Sequence, residues 1–358
     1  MIRILSVETS CDETALALLE ANGGLNSPRF KILKNIVSSQ IKIHAPFGGV
    51  VPNLAKREHL KNLPIIFKKL LTTHYKLQPD LIAVTVGPGL EPCLWTGVGF
   101  AKEIKKKYFP KAKLIGVNHL EGHLYSFLLT TNYKLLTTKL FPAVALIVSG
   151  GHTILLLMKS LTEWKKLGET RDDAVGEAFD KVARMLELPF PGGPEIEKLA
   201  RKGNPDAINF PRPMINSKDY DFSFSGLKTS VLYFLRDSYE NTKTYQSTKT
   251  TTKNFRNFVS VADIAASFEQ AAVDTLVTKT MRAAKECKAK SVMLSGGVAA
   301  NQHLRKTLET ESKKRGLQFF VAPIQFNTDN AVMIGIAGYI QFLRKKNRKI
   351  TAQANLNL

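Results

Sequence analysis

Ala143-Val144-Ala145-Leu146-Ile147-Val148-Ser149-Gly150-Gly151-His152-Thr153-Ile154-Leu155-Leu156-Leu157-Met158 holds an apolar run, a glycine-rich turn and a second apolar run. Both runs are short and bounded by turn residues, so they read as a buried strand and its returning partner. The chain opens the same way. Ile2 to Val7 is a strand, Thr9-Ser10-Cys11-Asp12-Glu13-Thr14 a small polar turn, Ala15 to Leu19 the returning strand and Phe30 to Val37 a third. A related turn, Ser295-Gly296-Gly297, follows Val292 to Leu294 and precedes a helix expected from about Ala299. Two halves that open alike predict a duplicated α/β fold with a nucleotide in the cleft between them. Glycine lets backbone amides approach an anion with no Cβ in the way. A plain tight hairpin is the alternative reason for any single turn of this kind.

Outward from these turns, Gly48-Gly49-Val50-Val51-Pro52 is a loop, and Pro52 opens a helix to about Leu71. Leu81 to Val86 is a strand closed by Gly87-Pro88-Gly89, and a helix from about Leu94 to Lys107 follows. Thr130 to Lys139 is a polar connector and an expected hinge. Asp172 to Leu188 is an amphipathic helix broken by Pro191-Gly192-Gly193-Pro194, and Glu195 to Arg201 starts another. Residues 239–253, rich in Thr, Lys, Gln and Asn, read as a flexible insertion. A long helix from about Val261 to Cys287 and an apolar helix from Ala331 to Leu343 complete the chain, and the basic tail from Arg344 reads as frayed. The expected division is an N-terminal lobe of residues 1–135 with 325–345, a C-terminal lobe of 140–324, and a tail of 346–358.

Lys and Arg total 51 against 30 Asp and Glu, a net charge of +21 and a pI near 9.8. This points to a polyanionic partner, nucleic acid first, or to a generally basic proteome. Cys11, Cys93 and Cys287 are odd in number and far apart, which argues for a reducing compartment and against a cysteine zinc site. The chain goes straight into a strand with no signal peptide, and no apolar run spans a bilayer; a cytoplasmic enzyme or binding protein is the expectation.

In Asn118-His119-Leu120-Glu121-Gly122-His123 the histidines are four apart after the strand Leu114 to Val117. On a helix both imidazoles lie on one face and can share a cation. Asp329, before the last helix, is the candidate third ligand, with helix capping as its alternative. Two imidazoles and one carboxylate leave coordination positions free and suit zinc or iron(II) equally.

Ten motifs, in order, resemble the tRNA adenosine threonylcarbamoyltransferase family (TsaD in bacteria). They begin with Thr9-Ser10-Cys11-Asp12-Glu13-Thr14-Ala15, Gly48-Gly49-Val50-Val51-Pro52, Gly87-Pro88-Gly89-Leu90 and His119-Leu120-Glu121-Gly122-His123. They continue through Val148-Ser149-Gly150-Gly151-His152-Thr153, Gly176-Glu177-Ala178-Phe179-Asp180-Lys181, Pro191-Gly192-Gly193-Pro194 and Phe222-Ser223-Phe224-Ser225-Gly226-Leu227-Lys228-Thr229, and end with Ser295-Gly296-Gly297-Val298 with Asn301, and Thr328-Asp329-Asn330. The resemblance implies an actin/sugar-kinase/heat-shock-ATPase fold of two ribonuclease-H-like lobes. It implies transfer of threonylcarbamoyl from threonylcarbamoyl-AMP to the exocyclic amine of the adenosine 3′ of the anticodon, in tRNAs reading codons that begin with A. His119, His123 and Asp329 would hold the metal, and Ile147, Val148, Ser149, Gly150 and Gly151 the phosphate and acyl part. Asp180, Gly193, Glu197 and Asn301 would hold the nucleotide. Asp12 and Glu13 are the candidate positioning groups or bases, with turn formation as their other role. Implied partners are tRNA, the helpers TsaB and TsaE, and a separate synthase making the intermediate.

The chain departs from the family pattern at Glu91-Pro92-Cys93-Leu94-Trp95 and at Ala331-Val332. A metallopeptidase would need Glu directly after the first histidine, and Leu120 stands there. A sugar kinase or ATPase of the same fold would release ADP and a phosphorylated small molecule. A basic RNA-binding scaffold would bind without turnover.

Overall fold

The structure, a computed structural model, describes residues 1–73, 78–130, 139–247, 259–346 and 348–358. The first sheet holds β1 (Ile2–Glu8), β2 (Glu13–Asn22), β3 (Arg29–Ser39), β4 (Leu81–Gly87) and β5 (Lys113–Asn118) in the order β3-β2-β1-β4-β5. β1, β2 and β3 run antiparallel, while β4 and β5 continue parallel to β1. The second sheet repeats this plan with β6 (Ala143–Val148), β7 (Thr153–Met158), β8 (Trp164–Glu169), β9 (Ser291–Ser295) and β10 (Gln318–Val321), in the order β10-β9-β6-β7-β8. Strand senses match position by position. The duplication read from the hairpins is therefore present. β8 and β10 were not expected. Both are edge strands: β8 is largely polar and lacks the apolar run of a central strand, while β10, Gln318-Phe319-Phe320-Val321, is mostly apolar but only four residues long.

The helices are α1 (Ile41–His44), α2 (Pro52–Thr73), α3 (Glu91–Lys107), α4 (His119–Tyr125), α5 (Val175–Met185), α6 (Gly192–Ala200), α7 (Ser225–Ser247), α8 (Val261–Glu286), α9 (Gln302–Lys314) and α10 (Ala331–Leu343). α2 and α3 cover one face of the first sheet, packing Leu63, Phe67, Leu70, Val98 and Ile104 on Leu5, Val7 and Val84. In the second half, Phe179, Phe268 and Leu276 pack with Val144 and Leu146. α10 has no polar face and is buried from Ala331 to Gln341, as an all-apolar helix must be. It lies on β1, β2 and β5 and against α4, and α4 reaches β6, so one apolar cluster joins the two sheets.

Several boundaries differ from the sequence reading. α3 starts at Glu91, with Pro92 in its first turn, where proline costs no hydrogen bond. α5 starts at Val175, because Asp172 is engaged elsewhere: its carboxylate accepts from the amides of Phe224 and Ser225 and the hydroxyls of Ser223 and Ser225. Pro191-Gly192-Gly193-Pro194 leads directly into α6, with Pro191 at its N-cap. A short 3-10 turn, Gly297–Ala300, precedes α9, which is capped by Asn301. The backbone of α7 is helical to Ser247, so 239–247 is not a loop; 248–253 lies outside the described residues, as does 131–138 of the connector.

The tail is not frayed. The Gln353 amide donates to the Val86 carbonyl (2.7 Å), the Gly89 amide to Ala354 (3.1 Å) and the Asn118 side-chain nitrogen to Asn357 (3.0 Å). Arg348 pairs with the buried Glu121, while Ile350 and Leu356 join the apolar cluster beside α2 and α3. These bonds satisfy backbone groups at the end of β4. They also explain Gly87, whose φ is +150° and where a Cβ would sit 1.9 Å from the Gln353 oxygen. Gly87→Ala should cost about 2–4 kcal/mol in urea unfolding, from backbone strain and this clash. In a chain lacking residues 349–358 the same substitution should cost distinctly less; an equal cost would show that the strap does not impose the glycine.

Candidate metal and nucleotide site

β5 ends at Asn118, whose side-chain oxygen accepts from the amides of Leu120 (2.8 Å) and Glu121 (3.2 Å) and so starts α4. His119 and His123 follow on one face. Both are buried, with ring centroids 4.7 Å apart and planes perpendicular. Asp329 arrives from the other end of the chain. It does not cap α10; Asn330 does, accepting from the Met333 amide (3.1 Å). Asp329 Oδ1 lies 3.1 Å from His123 Nε2 and 3.5 Å from His119 Nε2. One donor atom from each of the three residues lies within 4.8 Å of the others, a spacing and chemistry that fit a divalent cation.

The electrostatics are concentrated here. Burial works against a charged His119, but the carboxylates of Asp329 and Glu8 hold its pKa up at about 9. Burial works against the Asp329 carboxylate, and His119 and His123 hold its pKa below the usual range. Burial pushes the Glu13 carboxyl well up, and the charges of Asp12 and Asp329 push it further. Glu13 thus stands within electrostatic reach of Asp329, with Asp12 beside it. In the first turn Ser10 is engaged: its amide donates to Glu8 (2.5 Å), and its hydroxyl sits 3.1 Å from His119 Nδ1.

The second glycine turn is joined to this centre through His152. The Ser149 amide donates to the His152 carbonyl (2.8 Å), and the His152 amide to the Ser149 hydroxyl (3.0 Å). Burial, helped by the nearby His119 and His123, drives the His152 pKa down to about 4. Ile147 and Val148 are fully buried core residues, so only their backbone can face a ligand. The Gly176 amide of α5 donates to the Ser149 carbonyl, and one turn later on α5 Asp180 accepts from the Gly192 amide (2.7 Å). Glu197 accepts from the Gln302 amide (3.2 Å), beside Asn301. Asp180 on α5, Gly193 and Glu197 on α6 and Asn301 at the start of α9 thus follow one another through these contacts.

A model of the family described as tRNA N6-adenosine threonylcarbamoyltransferase matches residues 31–336. The chain belongs to this family. It is 47% identical over 357 residues to the tRNA N6-adenosine threonylcarbamoyltransferase of Thermosipho melanesiensis, covering 99% of each chain. It is 44% identical to the one of Bacillus subtilis, covering 95% of this chain and 90% of that one. Among solved structures, HypF of T. kodakarensis aligns with a TM-score of 0.56 at 16% identity, covering 95% of this chain and 48% of that one. The Acidaminococcus fermentans (R)-2-hydroxyglutaryl-CoA dehydratase component A aligns at 0.50 and 12%, covering 96% and 99%. These two show the actin/sugar-kinase/heat-shock-ATPase fold alone.

In this member of the threonylcarbamoyltransferase family, sequence reasoning passed over Glu8, Thr85, His152 and Glu269. Glu8 does carry a signal, a carboxylate closing a mostly apolar strand, whereas Glu269 is one of several polar residues on α8 and does not stand out. Glu269, on α8, accepts from the Asn301 side-chain nitrogen (2.6 Å), while Asn301 Oδ1 caps α9. Burial lifts the Glu269 carboxyl to about 7, against the opposing Asn301 hydrogen bond. Its folded pKa exceeds the unfolded one, so between about pH 4.5 and 7 the native state binds more protons and stability falls as pH rises. Glu269→Gln keeps an acceptor for Asn301 and should remove about 1–3 kcal/mol of that fall, read from unfolding curves at pH 5 and pH 7.5. An unchanged pH slope would contradict the assignment.

Proposed function

We propose that the chain transfers the threonylcarbamoyl group of threonylcarbamoyl-AMP to the exocyclic amine of an adenosine in tRNA, the one 3′ of the anticodon in tRNAs reading codons that begin with A. The observation that carries this reading is the junction at His152: a three-donor cation set stands beside a glycine turn whose amides lie open. An added Cβ at Gly150 or Gly151 would meet nothing within 4 Å, so packing does not demand glycine there, whereas close approach of an anion does. Net charge of +21 favours the tRNA backbone as partner.

His119, His123 and Asp329 would hold one divalent ion, iron(II) or zinc. When bound, such an ion supplies Lewis-acid stabilisation of charge on the leaving phosphate. The Gly150 and Gly151 amides grip the phosphate and acyl portion, with Ile147, Val148 and Ser149 shaping the turn that presents them. Asp180, Gly193, Glu197 and Asn301 seat the nucleotide, their carboxylates facing ribose hydroxyls. The residue sets 1–135 with 325–345 and 140–324 act as two lobes around this cleft. The adenosine N6 lone pair then bonds to the carbamoyl carbon. The bond from that carbon to the phosphate oxygen breaks, and AMP leaves with the electron pair. The amine proton passes to Asp12. Glu13, held toward its protonated form, positions by donating a hydrogen bond. The amine is a poor nucleophile, so alignment supplies much of the rate. The reaction takes place in the cytoplasm, with the donor made by a separate synthase and with TsaB and TsaE as helpers.

Purified protein, alone and with the helpers, should convert unmodified tRNA and threonylcarbamoyl-AMP into modified nucleoside plus AMP, read by mass spectrometry. His119→Ala should lower transfer at least 100-fold, and wild-type turnover after metal stripping would refute the metal role. Asp12→Asn should cost roughly 100-fold or more and Glu13→Gln clearly less; the reverse ranking would exchange their roles.

A further inference from the structure

We propose that Glu8 is a positioning residue for the cation site. It holds the His119 ring with Nδ1 protonated, so that Nε2 presents its lone pair to the metal. The inference rests on the metal reading of His119, His123 and Asp329. Glu8 is the last residue of β1 and is fully buried. Oε1 accepts from the Ser10 amide (2.5 Å), and Oε2 accepts from the Thr85 hydroxyl on β4 (2.5 Å). Oε2 also faces His119 Nδ1 at 3.3 Å, on the side of the ring away from Asp329. A carboxylate only accepts, so the nitrogen beside it carries the proton, and the Ser10 hydroxyl oxygen, 3.1 Å from the same nitrogen, is then a second acceptor for it. Nε2, 3.5 Å from Asp329 Oδ1, is the nitrogen turned toward the other candidate ligands, and there a bound cation takes the place of the proton that Asp329 otherwise favours. The arrangement is one-sided. His123 Nδ1 is buried with no hydrogen-bond partner among the described residues. The fold therefore invests a buried carboxylate, expensive to desolvate, in one ring of the pair. Glu8 takes part in no proton transfer here. It acts through His119, and the carboxylate raises the basicity of the ligating nitrogen.

The test is made on the full chain with zinc alone. Glu8→Gln preserves shape but places an amide beside Nδ1. Competition with a chromophoric chelator should show zinc binding about 10- to 100-fold weaker than wild type. The rise in Tm on adding zinc should shrink accordingly. A purely structural Glu8 would lower the Tm of the metal-free protein but leave zinc affinity and the zinc-induced rise unchanged, which would overturn the proposal. Should the variant fail to fold, imidazole nitrogen NMR of zinc-loaded wild type decides. Protonated Nδ1 and ligated Nε2 on His119 support the proposal, and the opposite pattern refutes it. Absence of zinc binding by wild type itself would instead sink the metal reading on which the proposal stands.

Discussion

Helix α10 has no side it can show to water. Every residue from Ala331 to Gln341 is buried, and Gln341 can be so because its side-chain nitrogen donates to the Gly116 carbonyl (3.0 Å). Burial of Val332, Met333, Ile334, Ile336 and Ile340 contributes about 10 kcal/mol together, as an upper figure. Bringing Asp329 near Glu8 and Glu13 costs a few kcal/mol by comparison. The apolar helix therefore decides where Asp329 goes, and the carboxylate cluster is carried along. The histidine helix is fixed from the other side by the same cluster, since α4 packs on α10. Two segments 206 positions apart meet because neither has another place to bury itself.

The charge distribution follows from this. A chain of net charge +21 sets Glu8 and Asp329 on two imidazoles, with Glu13 and then Asp12 next to these carboxylates. The protein balances the excess by favouring protons on His119 and Glu13. A third imidazole, His152, is driven the other way, toward neutrality, by burial and its two neighbours. Groups of one chemical type are thus held in different protonation states by position alone.

The layout of both sheets was legible because their central strands are short apolar runs beside glycine or polar turns. The His119–His123 pair was legible because four residues is a helical repeat. The edge strands β8 and β10 were hidden for different reasons: β8 carries polar residues that read as loop, and β10 is too short to stand out. Asp329 looked like a cap because it stands one residue before the true cap, Asn330. Local sequence does not separate adjacent Asp and Asn at a helix start when the deciding partner lies elsewhere in the chain. The tail misled for a similar reason. Its anchors, Gln353, Ala354 and Asn357, bind through backbone atoms that carry no side-chain signal, and only Ile350 and Leu356 mark it as more than a solvated end. Glu8, Thr85 and Ser10 became a group only when β1, β4 and α4 were set side by side.

Asn118 spends its two carboxamide atoms in different directions, the oxygen on the first amides of α4 and the nitrogen on the Asn357 carbonyl. Asparagine is among the thermally labile residues. Deamidation at this position would leave the helix cap in place, and with a negative charge that suits a helix start. The same change would turn a donor into an acceptor aimed at a carbonyl oxygen, so an aged molecule would keep its histidine helix and shed the strap beside it.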